Sequence, residues 1–352
     1  MIELTDVVKE FDGVRVVDLI ELKIKQGEFL TFLGPRDSGK TTILRLMAGF
    51  DYPTSGRIVI EGRDSTHDLP HHRNVHMIGS GPSLFPHMTV AENVAFGLRL
   101  RKQTTSEIEP KVNDVLKLLH LNEFAGRMPK QLTRSQQQQA AIARALVLHP
   151  AALLLDEPLG SLDIKVRKQM QMELKHLQMK LGIAFIYATR DPEESLIMSD
   201  RIAVIIQGRL VQIGRAAEIY DRPATSHVAG LIGETNLIQG RIEFIGRNEA
   251  TLRRGDFLVA VHRVQGLEHG CDAFLSVRPE RVWFSTGVSH KSFRGVLKEK
   301  IDIGSTVKLI VETPGIETMI ISTQDRESAS LVSPGDTLNF GWDAQDGHLL
   351  LG

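Results

Sequence analysis

Apolar residues in the first two-thirds of the chain fall into two alternating patterns. Short continuous runs bounded by turn residues occur in GEFLTFL (27–33), AALLLDEP (151–158), IAFIYATRD (183–191) and RIAVIIQGRL (201–210). Between them lie segments such as VRKQMQMELKHLQMKLG, with apolar residues every three or four positions. Runs of the first kind read as strands buried on both faces, and the second as amphipathic helices, so the pattern predicts a parallel sheet covered by helices. Residues 89–130, with MTVAENVAFGLRLR and EIEPKVNDVLKLLHL, read as a helical insertion. After Thr235 the period shortens to alternating runs broken by Gly, Asn and Pro, as in TVKLIVETPGIETMIIST, which predicts a small all-β unit, a barrel. The expected organisation is an α/β domain over 1–235 and a β-barrel domain over 236–352.

Composition narrows the partners. A chain of 352 residues is long enough for two cores, and its formal net charge of -1 gives no ground for a polyanion-binding surface, so nucleic acid is not an expected partner. A single cysteine, Cys271, rules out an internal disulfide framework and fits a reducing compartment. The sequence has no apolar run of about 18 residues and no basic-then-apolar N-terminus. A chain that neither spans a membrane nor is exported by a signal peptide is expected.

The strongest chemical signal is GPRDSGKT, Gly34 to Thr41, which satisfies G-x-x-x-x-G-K-[ST] between an expected strand and an expected helix. Backbone N–H groups of such a loop (Gly34, Pro35, Arg36, Asp37, Ser38, Gly39, with Thr42 following) converge on phosphates, apart from the proline, which has no N–H. Lys40 is the candidate to neutralise the β- and γ-phosphates, and the Thr41 hydroxyl a candidate Mg²⁺ ligand. The competing reading is a chance Gly-Lys-Thr turn. Farther on, LLLDEP ends a buried strand in two carboxylates, a costly arrangement unless they face a cation or water. Asp156 then suits Mg²⁺ and Glu157 suits a base for an attacking water, although Asp-Glu-Pro also matches a helix cap.

With both motifs on one chain, the sequence resembles the ATP-binding-cassette ATPases over nearly its whole length. Phe11 sits where that family stacks an aromatic on adenine; LFPHMTVAENVAFGL resembles the segment after the Q-loop, QLTRSQQQQAAIARAL the signature region and GSLD, ending in Asp163, the D-loop. GETNLIQG and SVRPERV resemble the OB-like, TOBE-type regulatory barrel of importer ATPases. PHMTVAENVAFGL, LDIKVRKQMQMELKHLQ, MSDRIAVIIQGRLVQIG and IGETNL resemble the spermidine/putrescine importer ATPases above all, with sugar-phosphate, iron and sulfate importer ATPases sharing much of this. The resemblance implies Mg²⁺ with ATP as substrate. It implies a head-to-tail pair of nucleotide-binding domains, as a homodimer or with a related subunit, and integral-membrane permease partners. A solute-binding protein would act indirectly, and the place of work would be the cytoplasmic face of the inner membrane.

The chain departs from the family at the nucleotide site itself. The signature turn, LSGGQ-like in the family and acting on the partner's ATP, reads Leu132, Thr133, Arg134, Ser135, Gln136. The Q-loop glutamine falls on Ser80, too short for the family's longer contacts but still a tentative Mg²⁺ ligand, and the switch histidine falls on Arg190. Arg190 cannot tune a proton as imidazole does, though it can bind phosphate as a cation. Asp37 replaces a usual glycine and brings a carboxylate to the triphosphate. The resemblance implies the ATP-binding subunit of an importer, coupling ATP binding and hydrolysis to uptake of a polyamine. The changes lead to the expectation of strongly impaired hydrolysis and keep open the alternative of a catalytically impaired nucleotide-binding subunit with a regulatory or structural role. A chromosome-maintenance ATPase is disfavoured by the missing coiled-coil insertion. Four further features read as structural: His71–His72–Arg73 as a solvated loop, Asp191–Pro192–Glu193–Glu194 as a helix cap, Gln136–Gln139 as a polar helix face, and Met170, Met172 and Met179 as packing.

Overall fold

In the computed structural model, the described residues are 1–247, 249–255, 257–262, 266–287 and 292–351. They form two compact units, Met1–Ala216 and Ala217–Gly352.

The first unit holds ten strands and six α-helices: β1 (Ile2–Phe11), β2 (Val14–Ile24), β3 (Phe29–Leu33), α1 (Lys40–Ala48), β4 (Ser55–Ile60), β5 (Arg63–Asp64), β6 (Val75–Ile78), α2 (Val90–Leu100), α3 (Thr105–Leu118), α4 (Arg134–Leu146), β7 (Ala152–Asp156), α5 (Ile164–Leu181), β8 (Ala184–Thr189), α6 (Pro192–Met198), β9 (Arg201–Ile206) and β10 (Arg209–Gly214). One sheet has the order β10-β9-β3-β8-β7-β6, parallel except for the edge strand β10. β3 and β8 are buried at every position, as their unbroken apolar runs require. The run RIAVIIQGRL, read above as one strand, folds back at Gln207–Gly208, both with positive φ, and gives the β9–β10 hairpin. A second, antiparallel sheet, β2-β1-β4-β5, was not foreseen, because its strands alternate buried and exposed positions and are interrupted by bulges.

Helix α1 is packed through Ile43, Leu44, Leu46 and Met47 into one core with residues of both sheets. The other face of the large sheet shares a core with α2, α3, α4 and α5. The helical region expected at 89–130 therefore runs on through α4 to Leu146. Thr89 with Glu92, and Thr133 with Gln136, close reciprocal caps that start α2 and α4.

Register fixes where the chemistry lies. Leu33 pairs with Thr189, Asp156 with Ala188 and Ile78 with Leu155, so β3, β6, β7 and β8 end on the same edge. Loops leaving that edge carry the phosphate loop, Ser80, Glu157 and Arg190, the arrangement expected of ligand sites at the carboxyl ends of parallel strands.

The second unit includes α8 (Ser226–Ile232), preceded by the short α7 (Ala216–Asp221), and the strands β11 (Asn236–Ile245), β12 (Glu249–Arg254), β13 (Phe257–His262), β14 (Asp272–Val277), β15 (Trp283–Ser285), β16 (Phe293–Asp302), β17 (Val307–Thr313), β18 (Ile316–Thr323), β19 (Thr337–Gly341) and β20 (Gly347–Leu351). Two five-stranded antiparallel sheets, β13-β12-β11-β14-β20 and β15-β19-β16-β17-β18, enclose a single apolar core. This is the all-β unit that the short alternating runs predict. Its contacts begin earlier than the change of texture at Thr235, for a physical reason. Arg278, 5% exposed, donates to the carbonyls of Tyr220, Ala229, Gly233 and Glu234 and lies 4.1 Å from the Tyr220 ring centre. A buried guanidinium with five N–H donors takes up backbone acceptors of the segment after Ala216. Among the described residues no helix is long and apolar enough to cross a membrane.

Candidate functional site

The phosphate loop leaves β3 at Gly34, where an added Cβ would lie 2.1 Å from the Ile205 carbonyl oxygen, so only glycine fits. Gly39 has φ +97 and would bring a Cβ to 2.7 Å from the Val16 carbonyl oxygen. Asp37 takes φ +58, a left-handed backbone that aspartate adopts more readily than most residues. Arg36 and Asp37 are both exposed, so the loop presents one charge of each sign to solvent. Lys40 is buried, and its Nζ donates to the carbonyls of Gly34 (2.8 Å) and Pro35 (2.6 Å) and to Ser38 Oγ (3.1 Å). Burial lowers its pKa, while Glu157, Asp156 and Asp37 act in the opposite sense. The next residue, Thr41, donates from Oγ1 to Asp156 Oδ1 at 3.1 Å, linking the loop to the end of β7. Burial raises the Asp156 carboxyl pKa against that hydrogen bond.

Past Asp156 the chain turns at Glu157, φ +44, whose N–H is held by the Ala188 carbonyl at 2.9 Å. This leaves the Glu157 carboxylate facing the end of β8, and there Arg190 grips it: Nε to Oε1 at 2.9 Å and Nη2 to Oε2 at 3.0 Å. Such a fork engages both carboxylate oxygens at once. Just before Arg190 in the chain, the Tyr187 and Thr189 hydroxyls donate to the buried Glu194 Oε2 at 2.8 and 2.5 Å, fixing the end of β8. Asp191, as expected, caps α6 by accepting from the N–H groups of Glu193 and Glu194.

The edge thus brings together Lys40, Thr41, Asp156, Glu157 and Arg190. Ser80 is exposed two residues beyond β6, the neighbour of β7. Phe11, 42% exposed, pairs with Val14 across a turn, two residues ahead of the Val16 carbonyl that touches the phosphate loop. The signature positions are occupied elsewhere. Thr133 and Gln136 bond each other reciprocally, Ser135 Oγ lies 3.5 Å from Met170 Sδ on α5, and Arg134 is exposed. Asp163 caps α5 through the Val166 N–H.

Several readings of the sequence need correction. The glutamine run, expected as a polar helix face, is largely engaged with the protein: Gln137 donates to the carbonyls of Pro129 and Leu132, Gln139 to Glu173, and Gln138 is 2% exposed. Met170 is packed, but Met172 and Met179 are exposed. His71 and His72 are exposed as expected, whereas Arg73 is 4% exposed and donates to the carbonyls of Leu46, Met47, Thr66 and Asp68, fastening the far end of α1.

The donor set suits a nucleotide with Mg²⁺. Mg²⁺ is ordinarily held by one or two carboxylates and substrate phosphates, with water completing its shell. Thr41 Oγ1 and Asp156 supply such oxygens beside the cationic Lys40, and among the described residues no group of three or more His, Cys, Asp or Glu offers a competing metal site.

Comparison with known proteins agrees with this geometry. The "ABC transporter" family model matches residues 17–160 and the "TOBE domain" model residues 275–350. The spermidine/putrescine import ATP-binding protein PotA of Thermobifida fusca is 43% identical over 96% of this chain and 88% of its own length; that of Acidothermus cellulolyticus is 41% identical over 99% and 94%. Among solved structures, the dimeric post-hydrolysis state of the ATP-binding cassette MJ0796 bound to ADP and Pi is 28% identical, with TM-score 0.54, over 61% of this chain and 99% of that one. Clostridium perfringens cbiO1, part of the transporter complex cbiONQ, is 27% identical, with TM-score 0.59, over 62% and 89%. The chain belongs to the ATP-binding-cassette transporter ATPases. Within them it is the ATP-binding subunit of an importer, with a C-terminal TOBE domain.

Proposed function

We propose that this subunit serves a polyamine importer and that its own Arg190 restrains ATP hydrolysis by occupying Glu157. The polyamine assignment is supported by the names of the relatives, which are spermidine/putrescine import ATP-binding proteins. The restraint is supported by one observation, the two-bond fork between Arg190 and Glu157.

In this reading the phosphate-loop amides and Lys40 bind the triphosphate, Phe11 stacks on adenine, and Thr41 and Asp156 hold Mg²⁺, with Ser80 at the same edge. Mg²⁺ held there would supply positive charge against that of the triphosphate. Lys40 exchanges its loop carbonyls for phosphate oxygens, which offsets the burial that lowers its pKa. Glu157 orients and accepts a proton from water. It must present a free oxygen to do so, and a guanidinium holding both oxygens blocks the approach of water to them. Two nucleotide-binding domains pair head to tail, with Thr133, Arg134, Ser135, Gln136 and Asp163 facing the partner's nucleotide, against permease subunits at the cytoplasmic face of the inner membrane. A solute-binding protein delivers cargo to the permease.

Uptake of labelled spermidine by cells carrying the chain with its permease tests the cargo; uptake of another solute class with none of spermidine contradicts it. ATP binding that exceeds turnover in the purified chain supports the restraint, and rapid turnover by the native chain counts against it.

A further inference from the structure

One arginine with no part in the reading above connects the Asp163 turn to the Arg190 segment. Arg167, in the first turn of α5, donates from Nη2 to the Leu162 carbonyl at 3.0 Å, and its Nη1 lies 3.9 Å from Asp191 Oδ2. Its Nε is buried without a hydrogen-bond partner, so the hydrogen bond to Leu162 and the ion pair with Asp191 are made by the two terminal nitrogens. Asp191 follows Arg190 directly and is fixed by its own bonds: its N–H to Thr189 Oγ1 at 3.0 Å, and its carboxylate to the first N–H groups of α6. One residue on, Lys168 reaches Glu193 at 2.8 Å, a second tie between α5 and α6. On the other side, the Gly160 N–H returns to the Glu157 carbonyl at 3.2 Å. A closed circuit results, from Glu157 along the chain to Leu162, through Arg167 to Asp191, and through Arg190 back to Glu157. It surrounds a cleft of about 330 Å³.

We propose that Arg167 is a positioning residue: by tying Leu162 to Asp191 it sets where Arg190 stands, so that a displacement of the Asp163 turn is passed to the Arg190–Glu157 pair. This rests on the restraining role of Arg190 given above. The circuit has two guanidinium links, and slack in one relaxes the other. Loosening Arg167 therefore frees Glu157 in the native chain. With histidine at 190, the same slack misplaces a side chain that needs to be held.

The test uses the full-length chain in four forms, native, Arg167→Gln, Arg190→His and the double variant, with amide hydrogen exchange and Mg·ATP turnover measured on each. Arg167→Gln is expected to speed exchange about tenfold in both residues 160–164 and 189–195, leaving α1 unaltered. Turnover is expected to rise about threefold in the native background and fall about threefold in the Arg190→His background, with KM for ATP shifted less than about twofold. A merely structural residue lowers turnover in both backgrounds and raises KM, and that result overturns the proposal. Unchanged exchange in 189–195 overturns it too, whatever the kinetics. If Arg190→His alone leaves turnover unaltered, the restraint fails instead, and the exchange data still decide whether Arg167 links the two segments.

Discussion

Arg190 and Glu157 face each other across the ends of β8 and β7, joined Nε to Oε1 at 2.9 Å and Nη2 to Oε2 at 3.0 Å. Both groups are partly exposed, 44% and 30%, so the pair is open to competition from water, salt and phosphate. It is an orienting contact that can be exchanged, and its significance lies in which carboxylate it occupies. Of the two acids at the end of β7, Asp156 is reached by Thr41 and Glu157 by Arg190.

Asp37 takes a backbone that glycine would take without strain and places an exposed carboxylate on the phosphate loop. Asp37→Gly is expected to tighten ATP about 3- to 10-fold by removing like-charge repulsion. A β-branched residue there must pay for left-handed backbone, and Asp37→Val should lower stability by about 1–2 kcal/mol. Equilibrium ATP titration and denaturant unfolding read the two effects separately; equal ATP affinity for Asp37→Gly and the native chain would count against the charge argument.

Glu194 gives a pH signature. Burial raises its carboxyl pKa, while the hydrogen bonds from Thr189 and Tyr187 pull the other way. A group with a higher pKa folded than unfolded takes up protons on folding. Its stabilising contribution is fully present below the unfolded value of about 4.3 and is lost as pH rises through the raised folded value. Relative to Glu194→Gln, which does not titrate, the native chain is expected to gain stability as the pH falls from about 7 toward 4. Urea midpoints for both forms across that range check the sign; parallel curves would remove burial as the dominant cause.

Arg278 tests the extent of the second unit. Truncating it to alanine strands four backbone carbonyls in the 217–235 segment and removes the contact with Tyr220. A loss of about 2–4 kcal/mol in that unit is expected. A fragment beginning at Ala217 should unfold cooperatively, and one beginning at Asn236 should be weaker by a similar margin. Equal midpoints for the two fragments would show that the sheets need no help from the segment before them.

The phosphate loop and LLLDEP were legible because each binds its role to local sequence: Gly34 has no room for a Cβ, and Asp156 ends an apolar strand. The antiparallel sheet was not, since β1 and β2 alternate and bulge, and their partners are set by long-range pairing. Nor could residue types alone show that Arg190 would reach Glu157. That contact depends on the Asp156–Ala188 register between two strands and on the left-handed turn at Glu157. The buried role of Arg73 was hidden in the same way, because its acceptors are backbone carbonyls, which have no sequence signature. A basic residue without an acidic neighbour reads as solvated until the fold supplies those acceptors.

Mg·ATP turnover by the purified native chain and its Arg190→His variant, with ATP affinity measured on both, tests the restraint most directly. Freed Glu157 together with an imidazole at that position should raise kcat about 10-fold or more, with ATP affinity changed by less than about threefold. Equal turnover in the two forms, or faster turnover with arginine in place, would contradict the account and make Arg190 a working phosphate ligand.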